Sequence, residues 1–188
     1  TTYIVTGTDA NNCSNTNSIA VTVNPLPNVN STPAVATVCF GQSMTLNGTG
    51  ASTYTWSGGV INNSPFTISN TTTYTVTGTD ANGCSNTNTK LVTVNIIPTL
   101  SISPTNPSIC LNQNVNLTAG GANTYSWSPG LGLNQTTGAT VNAGPTVTTT
   151  YTITGMDVNG CSNTISNTVN VNPLPVFTTS PSSATICQ

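Results

Sequence analysis

The chain has 188 residues and is almost uncharged, with one Lys, no Arg, three Asp, no Glu and no His. It therefore lacks most general acids and bases and most ligands of a hydrolytic metal site, and a Ser, Thr or Cys nucleophile would have no His beside it. A formal net charge of −2 provides no basic cluster for phosphates, and no apolar run reaches the roughly 20 residues of a membrane-spanning helix. We predict no enzyme activity, metal, cofactor, nucleic-acid partner or membrane insertion.

One sequence block occurs three times, beginning at Tyr3, Tyr74 and Tyr151, at intervals of 71 and 77 residues (74 − 3 and 151 − 74). Each block runs Tyr-x-Val/Ile-Thr-Gly-x-Asp-x-Asn-x-Cys-Ser-Asn-Thr. A period above 70 is too long for a solenoid turn and is typical of a small β-sandwich. We expect a segment of a longer protein, divided at the end of each block.

The predicted boundaries give two complete repeats and two partial ones. Residues 1–25 are predicted to be the C-terminal half (strands F and G) of a preceding repeat, and residues 173–188 the start of a following one. Residues 26–96 and 97–172 are the complete repeats, named the first and second repeat below. The repeats are joined by proline-containing connectors, which we predict to be stiff because Pro fixes φ, at residues 23–27, 94–98 and 171–175.

Short alternating runs predict strands throughout each repeat. In the first repeat, apolar and polar residues alternate over residues 44–47, 54–56, 66–68, 74–76 and 92–94. Gly, Asn and Pro interrupt these runs at roughly 8–12 residue intervals, as in a sandwich, and no 3.6-residue period predicts an α-helix. An Asn-Gly signal predicts a hairpin between strand F at residues 74–79 and strand G at residues 87–94.

Aromatic residues two apart on predicted strand C are expected to face the same way. The recurrence of this pair favours a core role over a sugar-stacking platform. The predicted core residues are Tyr54, Trp56, Tyr74, Tyr125, Trp127 and Tyr151. The Asp of each block is predicted to start the hairpin turn rather than to bind calcium, because a Ca²⁺ site usually needs several carboxylates.

Three segments resemble the Ig-like and PKD-like repeats of giant cell-surface proteins of Bacteroidota, including gliding-motility adhesins. They are Cys39-Phe-Gly-Gln-Ser, Tyr54-Thr-Trp56 and the block from Thr73 to Cys84. The likeness covers nearly the whole chain. It implies tandem Ig-like or PKD-like β-sandwich domains in an elongated array, exported by the type IX route to the cell surface for adhesion, gliding or fibre formation. The predicted partners are neighbouring repeats of the same chain, lateral copies in a fibre and surface polysaccharide.

The six cysteines recur as one pair per repeat, which favours structural disulfides in an oxidising compartment. Zinc is disfavoured because no two cysteines are closer than 26 residues. The interval from each hairpin cysteine to the next cysteine is 26 every time (39 − 13, 110 − 84, 187 − 161). The interval within a repeat varies between 45 and 51 (84 − 39, 161 − 110). The constant interval is what fixed spacing between neighbouring repeats would require.

Two disulfide pairings remain open. In antibody domains the second Cys lies two residues after the strand F Tyr, whereas Cys84 lies ten after Tyr74. In an Ig-like topology this places Cys39 and Cys84 at opposite ends of the domain. We therefore prefer an inter-repeat Cys39–Cys161 bond, with Cys13, Cys84, Cys110 and Cys187 pairing with repeats outside this sequence. A shifted strand A would instead permit bonds within each repeat.

The predicted function is a non-catalytic, disulfide-stiffened stalk in a secreted bacterial surface protein or extracellular filament. The alternative is an array of carbohydrate-binding modules. Solvent exposure of Trp56 separates the two hypotheses, because a sugar platform needs an accessible ring and a structural core buries it.

Overall fold

A computed structural model describes residues 1–178 and 185. The chain divides into two compact units, Thr1–Val94 and Asn95–Gln188. The described residues contain strands, one 3-10 turn at Ser57–Gly59 and no α-helix. The predicted all-β class is therefore confirmed.

The first unit begins with a hairpin of β1 (Thr2–Thr8) and β2 (Ser14–Ala20), named the N-terminal hairpin. Its register runs from Thr2 opposite Ala20 to Thr8 opposite Ser14. Both strands are exposed along their whole length, and Tyr3 is 59% exposed.

The first repeat forms eight strands in three hydrogen-bonded sheets. The strands are β3 (Asn30–Thr32), β4 (Thr37–Cys39), β5 (Ser43–Thr45), β6 (Asn47–Thr49), β7 (Thr53–Trp56), β8 (Pro65–Thr67), β9 (Thr72–Thr79) and β10 (Ser85–Asn95). One sheet has the order β4-β10-β9-β7, and the pairs β3-β6 and β5-β8 form the others. Leu46, between β5 and β6, is fully buried and packs in one core cluster with Trp56, Val76 and Val92.

The second repeat forms seven strands in two sheets. They are β11 (Ser101–Ser103), β12 (Ser108–Cys110), β13 (Val115–Gly120), β14 (Thr124–Ser128), β15 (Thr140–Ala143), β16 (Thr149–Met156) and β17 (Ser162–Asn172). The sheet orders are β11-β13-β15 and β12-β17-β16-β14. Leu117 and Val141 of the first sheet share a core cluster with Trp127, Ile153 and Val169 of the second. A core built from two facing sheets defines a β-sandwich.

Ig-style letters describe both repeats. Strand A is β3 with β4 or β11 with β12, strand F is β9 or β16, and strand G is β10 or β17. Strands B to E together are β5 to β8 or β13 to β15, with strand C being β7 or β14. Strands F and G of the first repeat begin at Thr72 and Ser85, two residues before the predicted starts, because the ladder continues to the pairs Thr72–Val92 and Thr79–Ser85.

Candidate functional site

The cysteines occupy two kinds of position at the ends of strands. Cys13, Cys84 and Cys161 lie in F–G turns, immediately before the last strand of their block, and Cys39 and Cys110 end strand A. Cys39 and Cys161 are disulfide-bonded, whereas Cys13, Cys84 and Cys110 carry free thiols. Cys187 lies outside the described residues.

The fold of the second repeat does not permit a bond between its own two cysteines. β12 runs parallel to β17, and Cys110 lies opposite Asn172 at the C-terminal end of that strand. Cys161 precedes the other end of β17, eleven residues away, or about 35 Å at roughly 3.3 Å per residue. A disulfide requires Cα atoms within about 7 Å. The free thiol of Cys110 agrees with this geometry.

The first repeat has the same arrangement. β4 and β10 are neighbours in one sheet, and the Thr93 amide donates to the Ala36 carbonyl. Cys39 therefore lies near the C-terminal end of β10, whereas Cys84 precedes its N-terminal end. The free thiol of Cys84 shows that the intra-repeat pair is absent here also.

The Asp of each block organises the turn that holds the hairpin cysteine. The Asp157 Oδ1 accepts hydrogen bonds from the backbone N–H groups of Asn159 and Cys161, at 2.9 and 2.8 Å. Asp9 and Asp80 make the equivalent pairs of bonds in their own turns. This is an Asx-type turn, the role predicted for these residues. The described residues include no group of three or more His, Cys, Asp or Glu side chains that could hold a metal ion.

Polar side chains of strand G tie strand A to it, a feature that sequence reasoning missed. In the first repeat, the Asn86 Nδ2 donates to the Pro27 carbonyl at 3.0 Å and the Asn88 Nδ2 to the Val29 carbonyl at 2.8 Å. The Lys90 Nζ donates to a third carbonyl of this segment, that of Ala34, at 3.1 Å.

The second repeat carries the same ties with different residues. The Asn163 Nδ2 donates to the Pro98 carbonyl at 3.0 Å, which matches Asn86 in the first repeat. The Asn167 Nδ2 donates to the Pro104 carbonyl at 3.1 Å, and its Oδ1 accepts the Asn106 amide at 2.7 Å. Asn167 is only 2% exposed, so these bonds satisfy a buried amide. The Cys-Ser-Asn motif contains Asn86 and Asn163, but it gives no indication of partners 59 and 65 residues away.

The strand C aromatics are held inside the sandwiches by their polar atoms as well as by packing. Trp127 is 3% exposed, and its indole Nε1 donates to the Gly138 carbonyl at 2.9 Å. Trp56 is 8% exposed, and its Nε1 donates to the Asn62 Oδ1 at 3.0 Å. Neither indole presents an open face for a sugar ring.

The tyrosines of the predicted core differ in burial. Tyr151 is fully buried, its hydroxyl donates to the Leu131 carbonyl, and burial raises the pKa of its phenol. Tyr125 is buried, and its hydroxyl donates to the Ala122 carbonyl and accepts from the Ala122 amide. Tyr54 and Tyr74 are half-buried, and the Tyr74 ring meets Phe66 edge-on at 5.4 Å between centroids.

No protein-family model matches the chain, and no curated protein matches its sequence. Among solved structures, it is similar to fibronectin(III)-like modules of Clostridium thermocellum CbhA, with 12% identity, a TM-score of 0.36, and coverage of 77% of this chain and 94% of that one. A Ca²⁺-stabilised, ice-binding adhesin of an Antarctic bacterium gives 16% identity, a TM-score of 0.39, and coverage of 91% and 56%. Domains 4 and 5 of the S-layer protein SbsC give 15% identity, a TM-score of 0.35, and coverage of 79% of this chain and 99% of that one.

The two-sheet core of the second repeat and the strand orders of both repeats define the class as all-β, with Ig-like sandwich domains. The similar solved structures are fibronectin-like, adhesin and S-layer domains. Within the described residues, no helix is long and apolar enough to span a membrane.

Proposed function

We propose that this chain is a non-catalytic stalk segment of a secreted bacterial cell-surface protein or extracellular filament, stiffened by disulfides between repeats. The observation that carries the proposal is the state of the cysteines. Cys39 and Cys161 are bonded, while Cys84 and Cys110, their possible partners within a repeat, are free. We propose that Cys39 of the first repeat is bonded to Cys161 of the second.

The proposed boundaries are those of the repeated block and its connectors. The first repeat spans residues 26–96 and the second residues 97–172, with partial repeats at residues 1–25 and 173–188. The N-terminal hairpin supports this division, because Tyr3 and Val5 are exposed while Tyr151 and Ile153, the matching residues of the third block, are fully buried. Under the same pairing rule Cys13, Cys84, Cys110 and Cys187 bond to other repeats of the full-length protein.

The cellular setting of this proposal rests on chemistry and on the sequence resemblance. Disulfides persist in oxidising compartments, which supports an extracellular location. The Bacteroidota-type repeats described above make the type IX route, the cell surface and a role in gliding or adhesion the proposed context. A nearly uncharged chain adds little electrostatic repulsion between copies, so lateral packing into a fibre is the proposed assembly, with surface polysaccharide as a further partner.

Non-reducing peptide mapping by mass spectrometry tests the pairing directly. The expected result is a peptide pair containing Cys39 and Cys161 that disappears on reduction. Pairs of Cys39 with Cys84 and of Cys110 with Cys161 would instead make each repeat self-contained and refute the stalk mechanism. Buried Trp56 and Trp127 weigh against the carbohydrate-binding alternative, because neither ring is accessible for stacking.

A further inference from the structure

We propose that strands A and G of each repeat form a strap that carries tension along the array, while strands B to F are bypassed. This inference rests on the Cys39–Cys161 bond proposed above. It assigns a mechanical role to the Asn side chains of strand G, in addition to holding strand A in place within the repeat.

The bypass follows from the covalent path through the chain. Tension that enters through the connector at residues 23–27 passes along strand A of the first repeat to Cys39. It then crosses the disulfide to Cys161 and continues along β17 to the next connector. Residues 40–160 lie in the covalent loop that the bond closes, so they stay slack while the bond is intact. The tension therefore passes through a single strand of each repeat, which is strand A in the first repeat and strand G in the second.

The constant 26-residue cysteine interval implies a second path. Residues 13–39 contain one strand G, one connector and one strand A, and the same cysteine spacing makes residues 161–187 the next part of the first path. The interval 84–110 has the same content and lies inside the bypassed loop, with a free thiol at each end. When these thiols pair with other repeats by the same rule, a second path runs beside the first. Each repeat then contributes strand A to one path and strand G to the other.

The structure ties these two paths together within each repeat. β12 runs parallel to β17, so both paths run in the same direction through the domain. Only three residue pairs connect these strands, from Ser108–Asn170 to Cys110–Asn172. Side chains extend the connection beyond this short ladder. Asn163 and Asn167 of strand G donate hydrogen bonds to the carbonyls of Pro98 and Pro104, which precede β12 in the chain. We infer that these bonds share tension between strand A and strand G.

Single-molecule stretching of the 188-residue chain, held by its termini, tests the bypass. The oxidised molecule should reach an extension shorter than the reduced one by the length of residues 40–160. That segment of about 120 residues spans roughly 400 Å when fully extended. The Cys39→Ser/Cys161→Ser variant should extend fully without reductant, whereas Cys84→Ser/Cys110→Ser should keep the restriction. Equal extension of the oxidised and reduced wild-type molecules would overturn both the bond and the strap.

The hydrogen bonds from Asn86 and Asn88 to strand A can be tested separately, by the force at which strand A detaches in the oxidised molecule. Detachment of strand A from the first repeat should lengthen the molecule by the difference between the fully extended length of residues 27–38, about 40 Å, and the length that this segment already spans in the fold. Asn86→Ala/Asn88→Ala should lower the force of that step, and single Asn86→Ala tests the same step if the double variant unfolds. Asn163→Ala is the matched control, because strand A of the second repeat lies in the bypassed loop. If peptide mapping finds the bond but Asn86→Ala leaves the force unchanged, or Asn163→Ala lowers it equally, the strap is wrong and the stalk proposal survives.

Discussion

The Gly of the repeated block lies where strand A crosses strand F, and substituting it tests that packing. A Cβ added at Gly155 would overlap the Leu100 Cδ2 and lie 2.9 Å from the Ala122 Cβ. A Cβ added at Gly78 would be similarly close to Val29 and Ala51 in the first repeat. Gly7, at the same place in the N-terminal hairpin, has no atom within 4 Å of an added Cβ. The chain therefore offers a matched pair, Gly155→Ala and Gly7→Ala.

The expected loss can be worked out from these contacts. Overpacking a filled core typically destabilises by about 1–3 kcal/mol. The Leu100 side chain can rotate away, but the Ala122 Cβ is fixed to the backbone, so we expect about 2 kcal/mol. Gly→Ala in a strand regains about 0.5–1 kcal/mol of backbone entropy, which leaves a net loss of roughly 1–1.5 kcal/mol. For a domain of this size that lowers the unfolding midpoint by about 4–12 °C.

Thermal unfolding followed by tryptophan fluorescence measures this loss. A Trp56→Phe background leaves Trp127 as the reporter, so the signal follows the second repeat. Gly155→Ala should lower the midpoint, and Gly7→Ala should leave it unchanged. The reasoning is refuted if Gly155→Ala unfolds at the wild-type temperature.

Three further measurements test the turn, the buried phenol and the indoles. Asp157→Ala should destabilise the second repeat by about 1 kcal/mol in urea titrations. Asp157→Asn, which keeps an acceptor oxygen, should leave the stability unchanged. A stability that depends on added calcium would contradict the turn role. Burial raises the pKa of the Tyr151 phenol in the folded state above its unfolded-state pKa near 10. The contribution of the neutral phenol to the free energy of unfolding is therefore complete below the unfolded-state pKa and is lost as the pH rises through the folded-state pKa. The urea midpoint should therefore fall above about pH 10, less steeply in Tyr151→Phe; equal slopes would contradict this. Acrylamide should quench Trp56 and Trp127 weakly until urea unfolds the chain, with no change on adding neutral polysaccharide; strong quenching in the native state would favour sugar binding.

Local patterns in the sequence predicted much of the fold. Period-two alternation predicted the strands, and the repeated block predicted the F–G hairpins and the Asp that organises each turn. These features depend on residues within about twenty positions of one another, so a local pattern contains them. The position of the hairpin cysteine before strand G is a local feature of the same kind.

The tertiary structure decided which distant groups meet. The parallel pairing of β12 with β17 puts Cys110 at the opposite end of strand G from Cys161, which rules out the intra-repeat bond. The partners of Asn86 and Asn163 are backbone carbonyls, which every residue carries, so no sequence pattern marks Pro27 or Pro98 as the acceptor. The recurring Gly was visible in all three blocks, but only packing shows that Gly155 is crowded and Gly7 is not. Periodicity encodes which face of a strand is buried, whereas contacts across 59 or more residues depend on how the sheets fold onto each other.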